Sequence, residues 1–271
     1  MSRMTRPLRL DGAVAVLTGS GSGIGRAVAR SFARRGARVV VSDISAERAM
    51  AVAAEIADLG GAAASLRVDA TSEADLEALR DAAVDRFGRV DVVVNNVGVL
   101  AMGAPETLPD EAWHRTLEVN LLSIARSNRV FLPRLREQRG GHVVNTASAS
   151  GLLAYGFDRL PYVASKHAIV GLSEALAIYL GPSGVGVTCL CPSGVATNIL
   201  EQITVYGEHE ATPRAPAHAI VEAEVVGELT ADAVEAGRFL VLTAPEIVAE
   251  LRERAADIEA YVQARIEEQG R

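Results

Sequence analysis

The sequence has few of the features that mark secreted, membrane-bound or nucleic-acid-binding proteins. Its two cysteines, Cys189 and Cys191, alternate with Leu190 in an apolar run, which predicts a buried strand in a reducing compartment and no disulfide or metal site. No apolar run reaches the length of a membrane span, and the N-terminus lacks the apolar core of a signal peptide. The net charge of −7 disfavours nucleic acid and anionic membranes as partners. We therefore expect a cytoplasmic protein that acts on a small molecule.

The chain instead contains a regular alternation of predicted strands and helices. Short apolar runs are typical of strands buried on both faces, and the segments between them carry apolar residues at helical spacing. This pattern predicts one α/β domain over residues 1–271, with a Rossmann-type, doubly wound sheet of about seven parallel strands and helices on both faces. We expect strands at 13–18, 38–43, 62–69, 90–94, 142–146, 186–191 and 237–243, and helices at 24–35, 45–59, 72–87, 110–136, 161–180 and 245–268.

Two parts of this pattern are irregular. The predicted helix 110–136 contains Pro133, near which we expect a bend. Residues 198–236 lose clear periodicity and mix Gly, Pro and His with apolar residues, so we predict an insertion or lid over a site.

A glycine-rich turn follows the first predicted strand. Its sequence over residues 18–25 is Thr-Gly-Ser-Gly-Ser-Gly-Ile-Gly. Glycines let a backbone approach a pyrophosphate closely, and the N-terminus of the following helix favours negative charge. The spacing differs from the usual dinucleotide fingerprint, and a mere tight connection is the alternative. The order of strand, glycines and helix favours a dinucleotide site.

Asp43 ends the second predicted strand, where a carboxylate can accept hydrogen bonds from both adenosine ribose hydroxyls and repel a 2′-phosphate. This position favours NAD over NADP, and a solvated aspartate at a strand end is the alternative. Ser22 supports NAD because no basic residue stands directly before Gly23. Arg26 and Arg48 are close enough in sequence to keep NADP open.

Tyr162 and Lys166 stand four residues apart on a predicted helix and therefore share a face. A phenol titrates near roughly pH 10 in water, and a neighbouring cation favours its phenolate. The pair can thus serve in proton transfer, although a chance pair on an exposed helix is the alternative for this motif alone.

In order along the chain, these motifs resemble the short-chain dehydrogenase/reductase superfamily over about residues 11–197. The glycine motif of that family matches residues 18–25, its Asn-Asn-Ala-Gly matches 95–98, and its Tyr-x-x-x-Lys matches 162–166. The resemblance implies that Tyr162 is the general acid/base, that Ser148 binds the substrate oxygen, with Ser150 as the alternative, and that Asn120 holds a relay water. It also implies that Lys166 lowers the pKa of Tyr162 and binds the nicotinamide ribose.

The resemblance further implies NAD as cofactor, with NADP less favoured, and assembly into a homodimer or homotetramer. The implied cofactor contacts come from the glycine turn, the ends of the strands, the Tyr–Lys helix and the segment after the sixth strand: Gly19, Gly21, Ser22, Gly23, Ile24, Gly25, Asp43, Asp69, Ala70, Asn96, Val97, Gly98, Tyr162, Lys166, Pro192, Gly194, Val195 and Thr197.

The chain departs from the family pattern at four points. Val97 replaces the usual alanine and is expected to tighten packing beside the adenosine. Ser193 replaces a glycine near the expected nicotinamide position. The interval from Ser148 to Tyr162 is about one residue longer than usual. The C-terminal helix 245–268 replaces a shorter ending and makes a particular tetramer geometry uncertain.

We expect reversible hydride transfer between a secondary alcohol or ketone and the nicotinamide. Apolar and aromatic residues suggest a hydrophobic substrate, with ordinary packing as the alternative for each: Leu152, Leu153, Tyr155, Phe157, Ile199, Leu200, Ile203, Val205 and Tyr206. A non-catalytic NAD sensor or scaffold is one rival function. An epimerase or dehydratase of the extended branch is another, which the glycine spacing and chain length disfavour.

Overall fold

The apolar runs of the sequence form a parallel sheet. The computed structural model describes residues 7–197, 201–207 and 218–269. Its strands are β1 (Val14–Leu17), β2 (Arg38–Asp43), β3 (Ala63–Arg67), β4 (Val92–Asn95), β5 (Leu100–Met102), β6 (Gly141–Thr146), β7 (Val185–Cys191), β8 (Val195–Ala196), β9 (Ile203–Val205), β10 (Val221–Glu222) and β11 (Leu240–Leu242). Seven of them form the main sheet in the order β11-β7-β6-β4-β1-β2-β3, and β8 with β10 and β5 with β9 form two small parallel pairs.

Helices cover both faces of the main sheet, as the sequence predicts. They are α1 (Gly23–Arg34), α2 (Ala46–Asp58), α3 (Glu73–Phe87), α4 (Asp110–Leu117), α5 (Ser123–Glu137), α6 (Leu160–Leu180), α7 (Ala223–Ala236), α8 (Ile247–Ala256) and α9 (Ile258–Gln269). Ala15 and Leu17 of β1 pack with α1, α2 and α7, whereas Val14 and Val16 pack with α3, α5 and α6. Alternate side chains of one strand thus enter two cores, which explains its continuous apolar run. The Rossmann-type fold is confirmed.

The predicted helix 110–136 is interrupted. A π-helical turn, Glu118–Leu122, separates α4 from α5, while Pro133 remains inside α5. Such turns insert one residue into a helix and often lie at functional sites. Here the turn carries Asn120, a residue that the sequence places in the catalytic set.

The prediction of an irregular lid over 198–236 is wrong for its last part. Residues 223–236 form α7, which packs closely on α1. A β-carbon on Gly227 would lie 2.6 Å from the Ala27 carbonyl oxygen, so glycine is what allows this approach. Small residues such as Ala223, Ala231 and Gly227 fill the buried face, and the apolar period is therefore weak in the sequence.

The predicted C-terminal helix is two helices. Asp257, between α8 and α9, has extended backbone angles, which breaks the helix and turns α9 back toward α8. The strand predicted at 237–243 is shorter, β11, because Gly237 ends α7 in the left-handed conformation.

Among the described residues, one helix meets the length and hydropathy of a membrane span, residues 160–183 with a mean hydropathy of 1.2. This helix begins as α6, and it packs on β7 and buries Ser165, Lys166, Ile169 and Ser173. Its apolar composition is therefore that of a core helix.

Candidate active site

Tyr162 and Lys166 lie in the first two turns of α6, whose second residue, Pro161, is at a position that requires no backbone donor. Lys166 is 3% exposed, and its Nζ donates a hydrogen bond to the Thr146 carbonyl oxygen at 2.8 Å. The same Nζ lies 5.5 Å from the centroid of the Tyr162 ring. The two side chains therefore share one face of the helix, as their spacing predicts, at the carboxyl end of β6.

Ser148 follows β6 and faces Tyr162. The Ser148 hydroxyl is close enough to the phenol to favour its charged form, and it therefore acts to lower the pKa of Tyr162. The Ser148 Oγ also accepts a hydrogen bond from the Ser150 backbone N–H at 3.1 Å. Gly151 permits the turn that follows to lie against α6, because a β-carbon there would be 2.5 Å from the Lys166 carbonyl oxygen. The hydroxyl that contacts Tyr162 is thus the one on Ser148, the first of the two candidates.

Burial dominates the electrostatics of this site. It raises the pKa of Tyr162, with the Ser148 hydroxyl and the nearby charge of Arg159 opposing it. Burial also lowers the pKa of Lys166 to about 8. The Tyr162 shift is opposite to the one expected from the sequence, because the desolvation of a phenolate outweighs the nearby positive charge.

Asn120 connects the π-helical turn to α6. Its Oδ1 accepts from the Val99 N–H at 2.8 Å, and its Nδ2 donates to the Val99 carbonyl at 3.1 Å and to the Ser165 Oγ at 3.0 Å. The Ser165 Oγ in turn donates to the Tyr162 carbonyl oxygen at 2.7 Å. A β-carbon on Gly98 would lie 3.6 Å from both Asn120 Oδ1 and Lys166 Nζ. Asn120 therefore lies near Lys166, and its water relay stays a prediction.

The glycine turn joins β1 to α1 and forms a tight cradle. A β-carbon on Gly25 would lie 2.3 Å from the Gly19 carbonyl oxygen, and Gly19 and Gly23 have φ of 59° and 51°. Ser22 precedes α1, and among the described residues its side chain makes no capping hydrogen bond, while the first turn of α1 has no acidic residue. The backbone N–H groups at this helix end are therefore suited to an anion such as a pyrophosphate.

Asp43 lies beside this turn at the end of β2 and is 6% exposed. Its Oδ2 accepts from the Gly21 N–H at 3.2 Å, and its Oδ1 lies 3.4 Å from an Arg48 guanidinium nitrogen. Arg26 instead pairs with Glu55, with Nε 2.9 Å from Oε2. Of the two arginines that keep NADP open, Arg48 is next to the expected ribose position and is paired with Asp43.

The ends of β3 and β4 supply the next predicted cofactor residues. Asp69 accepts two hydrogen bonds from Thr71, which lower its pKa, and it precedes the buried Ala70. The Asn96 side chain donates to the Gly19 carbonyl at 2.9 Å. Val97 also contacts Gly19, since a β-carbon there would lie 2.9 Å from Val97 Cγ1. The branched residue thus packs on the glycine turn, as expected.

Residues 192–197 follow β7 and border the same edge of the sheet. The Pro192 carbonyl accepts from the Ala149 N–H at 2.8 Å, and the Gly194 carbonyl accepts from the Val221 N–H at 3.0 Å. The Ser193 Oγ lies 2.9 Å from the Thr243 Oγ1, so this unusual serine binds the segment to the end of β11. Val195 lies in β8 and Thr197 just beyond it.

The predicted substrate residues are divided by the structure. Leu153 is fully buried and belongs to a core with α8, whereas Phe157 and Val205 are substantially exposed. Ile203 and Val205 lie in β9 beside β5, and Tyr206 follows them. Ile199 and Leu200 lie outside the described residues. Sequence reasoning missed Ser165, Arg159 and the polar partners of Tyr155, because lone polar residues in loops and helices give no motif.

A cleft of about 390 Å³ lies at the opposite edge of the sheet and is lined by Arg38, Arg89 and Arg139 among others. Arg38 donates to the Gly12 and Phe87 carbonyl oxygens there. Arg38 thereby compensates carbonyls at the end of α3 and in a turn, and Arg89 pairs with Asp91, with Nη2 2.7 Å from Oδ1. The described ranges contain no group of three or more His, Cys, Asp and Glu that could hold a metal. The group formed by Ser148, Tyr162, Lys166 and Asn120 is therefore a better candidate for an active site than this cleft.

Comparison with known proteins agrees with this geometry. A family model described as short chain dehydrogenase matches residues 13–205. The chain belongs to the short-chain dehydrogenase family. It is 36% identical to a cyclohexanol dehydrogenase from Acinetobacter sp., over 72% of this chain and 77% of that protein. It is 35% identical to the 1-deoxy-11-beta-hydroxypentalenate dehydrogenase of Streptomyces exfoliatus, over 94% of this chain and 91% of the other.

A solved structure of a short-chain dehydrogenase/reductase from Burkholderia phymatum in complex with NAD is also similar. Its TM-score is 0.83 at 35% identity, covering 93% of this chain and 96% of that one. Membership of the short-chain dehydrogenase family and these relatives support an oxidoreductase of alcohols with a nicotinamide cofactor.

Proposed function

We propose that the protein is an NAD-dependent dehydrogenase or ketoreductase that interconverts a hydrophobic secondary alcohol and its ketone. The observation that carries the proposal is the meeting of Ser148 and Tyr162 beside the buried Lys166, at the sheet edge that also carries the glycine turn. A phenol, a hydroxyl donor and a cation in one place can hold a substrate oxygen and move its proton.

Each side chain has one task in this proposal. Tyr162 takes the hydroxyl proton during oxidation and returns it during reduction. Ser148 donates a hydrogen bond to the same oxygen and stabilises the charge that develops on it. Lys166 holds positive charge next to the phenol and binds the nicotinamide ribose, and Asn120 positions the water that leads the proton away.

The residues present fit a dinucleotide. The uncapped N-terminus of α1 and the tight glycine turn suit a pyrophosphate, and Asp43 is placed to accept the adenosine ribose hydroxyls. We propose that the remaining predicted contacts, from Asp69 to Thr197, surround the adenine and nicotinamide ends. When bound, the cofactor accepts or donates the hydride.

NAD is the proposed form because the negative charge of Asp43, beside the glycine turn, would repel the additional phosphate of NADP. Arg48 weakens this preference, since its guanidinium is within 3.4 Å of the same carboxylate. The name of the solved relative in complex with NAD agrees with the proposal. We further propose a homodimer or homotetramer in the cytoplasm.

A non-catalytic NAD sensor is the remaining rival. It would require the glycine turn and Asp43 but not the placement of Ser148 beside Tyr162 and Lys166. To decide, purified protein would be incubated with NAD and a panel of secondary alcohols, from cyclohexanol to hydroxysteroids, while NADH absorbance is followed. Turnover of at least one apolar secondary alcohol is expected. NAD binding without turnover of any alcohol or reduction of any matching ketone would favour the sensor.

A further inference from the structure

A cluster of polar side chains joins the C-terminal helices to the chain that follows Ser148. We call Tyr155, His218, Glu250, Tyr261 and Arg265 the tail cluster. The Tyr155 OH lies 2.9 Å from the His218 Nε2 and donates to the Glu250 Oε2 at 3.2 Å. The His218 Nε2 lies 3.3 Å from the Glu250 Oε1, and Arg265 lies 3.4 Å from the Oε2.

The contacts of Tyr155 limit where the protons of the tail cluster lie. A phenol has one proton, so when Tyr155 donates it to Glu250, the close nitrogen of His218 must be the donor to the phenol oxygen. Glu250 then accepts from Tyr155 and pairs with both His218 and Arg265. Its side chain is 18% exposed and that of His218 is 8% exposed, so these contacts are little screened by water.

The tail cluster is coupled to the catalytic side of the sheet by a short, well-packed segment. Gly151 N–H donates to the Ser148 carbonyl, Leu153 N–H donates to the Ala149 carbonyl, and Tyr155 N–H donates to the Leu153 carbonyl. Leu153 is fully buried and packs with Ile247 of α8. Because Tyr155 lies only seven positions after Ser148, a shift of Tyr155 should also move the segment that follows Ser148.

Burial, and the negative charge of Glu250 after it, raise the pKa of Tyr155, so this phenol stays a hydrogen-bond donor. The Tyr261 OH is buried and has no hydrogen-bond partner among the described residues, while its ring stacks under Arg265 at 5.0 Å. Aromatic packing and ion pairing thus hold α9 against both α8 and Tyr155.

We propose that Glu250 is a positioning residue that fixes Tyr155, and with it residues 152–157, as a wall of the substrate site. The proposal rests on the function proposed above and adds a determinant of substrate size from outside the catalytic motifs. Removing Glu250 leaves the Tyr155 phenol and His218 without their common acceptor, and the wall loosens. Large secondary alcohols, which contact the wall, should be affected more than small ones.

The test compares Glu250→Ala and Tyr155→Phe with Glu253→Ala, an exposed residue on the same helix. For a hydroxysteroid we expect the first variant to raise KM by about tenfold, the size of a typical pocket contact, with kcat nearly unchanged. For cyclohexanol the rise in KM should be smaller than for the hydroxysteroid, and the Kd of NADH should be unchanged in all three variants. Tyr155→Phe should shift KM in the same direction by a smaller factor.

Amide hydrogen exchange provides a readout without substrate. Exchange in residues 152–157 should be about tenfold faster in Glu250→Ala and unchanged in Glu253→Ala. Unchanged exchange in Glu250→Ala would overturn the proposal whatever the activity. If Glu250→Ala does not fold, the same comparison with Tyr155→Phe decides. A wild type that oxidises no alcohol would refute the proposed function, while the exchange result would still judge the role of Glu250.

Discussion

The glycine turn and the tail cluster are assembled in different ways. The turn consists of consecutive residues between β1 and α1, and its geometry follows from glycines at fixed spacing. The tail cluster brings together Tyr155, His218 and Glu250 from three distant parts of the chain. The turn that we propose for the cofactor is therefore encoded locally, whereas the wall that we propose for the substrate depends on tertiary packing.

Ser148 lies just after β6, so its position, like that of the glycine turn, follows from nearby sequence. Replacing it should have a large effect on activity. Ser148→Ala removes a donor to the reacting oxygen and should lower kcat by about 10²–10³. Ser150→Ala is the matched control and should keep most activity, because only the Ser150 backbone contacts Ser148. Steady-state kinetics with an accepted alcohol provides the measurement. Equal losses in both variants would remove Ser148 from its assigned role.

The pH dependence comes next in size. Burial raises the pKa of Tyr162, so the phenol is protonated at neutral pH, and oxidation requires its deprotonated form. The kcat/KM for oxidation should rise about tenfold per unit as pH increases from 6. The slope should decrease above pH 8, because Lys166, whose pKa is about 8, loses its charge there. A profile that is flat from pH 6 to 10 would contradict Tyr162 as the base.

Asp43→Asn tests whether the carboxylate beside the glycine turn selects NAD over NADP. Removing the negative charge should raise the ratio of kcat/KM for NADP over that for NAD by about tenfold, which corresponds to about 1.4 kcal/mol. The neighbouring Arg48 becomes available for a phosphate in this variant. An unchanged ratio, or a wild type that already prefers NADP, would show that Asp43 does not select the cofactor.

The smallest expected effect concerns α7, which sequence reasoning assigned to a lid. Gly227→Ala would place a methyl group against the α1 backbone and should lower the free energy of unfolding by about 1 kcal/mol. Gly171→Ala, at an exposed position of α6 where a β-carbon meets nothing within 4 Å in the described structure, should raise it by about 0.5–1 kcal/mol. Urea unfolding of both variants measures the difference. A stabilising Gly227→Ala would contradict a packed α7.

The sequence predicts the sheet because buried parallel strands leave long apolar runs, as in β1 and β4. The helical spacing of Tyr162 and Lys166 predicts their shared face, and the resemblance to the short-chain dehydrogenases predicts that Ser148 meets them. The sequence does not predict α7, whose buried face is made of small residues, nor the break at Asp257, which depends on how α9 packs. It also misses the direction of the Tyr162 pKa shift, since desolvation depends on the whole surrounding fold.

The central claim is that Tyr162 carries the proton transfer. Tyr162→Phe removes one oxygen at the reacting position and leaves the glycine turn and Asp43 unchanged. Turnover and NADH binding would be measured on the same preparation, the second by fluorescence titration. The account predicts a loss of about 10²–10⁴ in kcat with a nearly unchanged Kd for NADH. Wild-type turnover in Tyr162→Phe would contradict it.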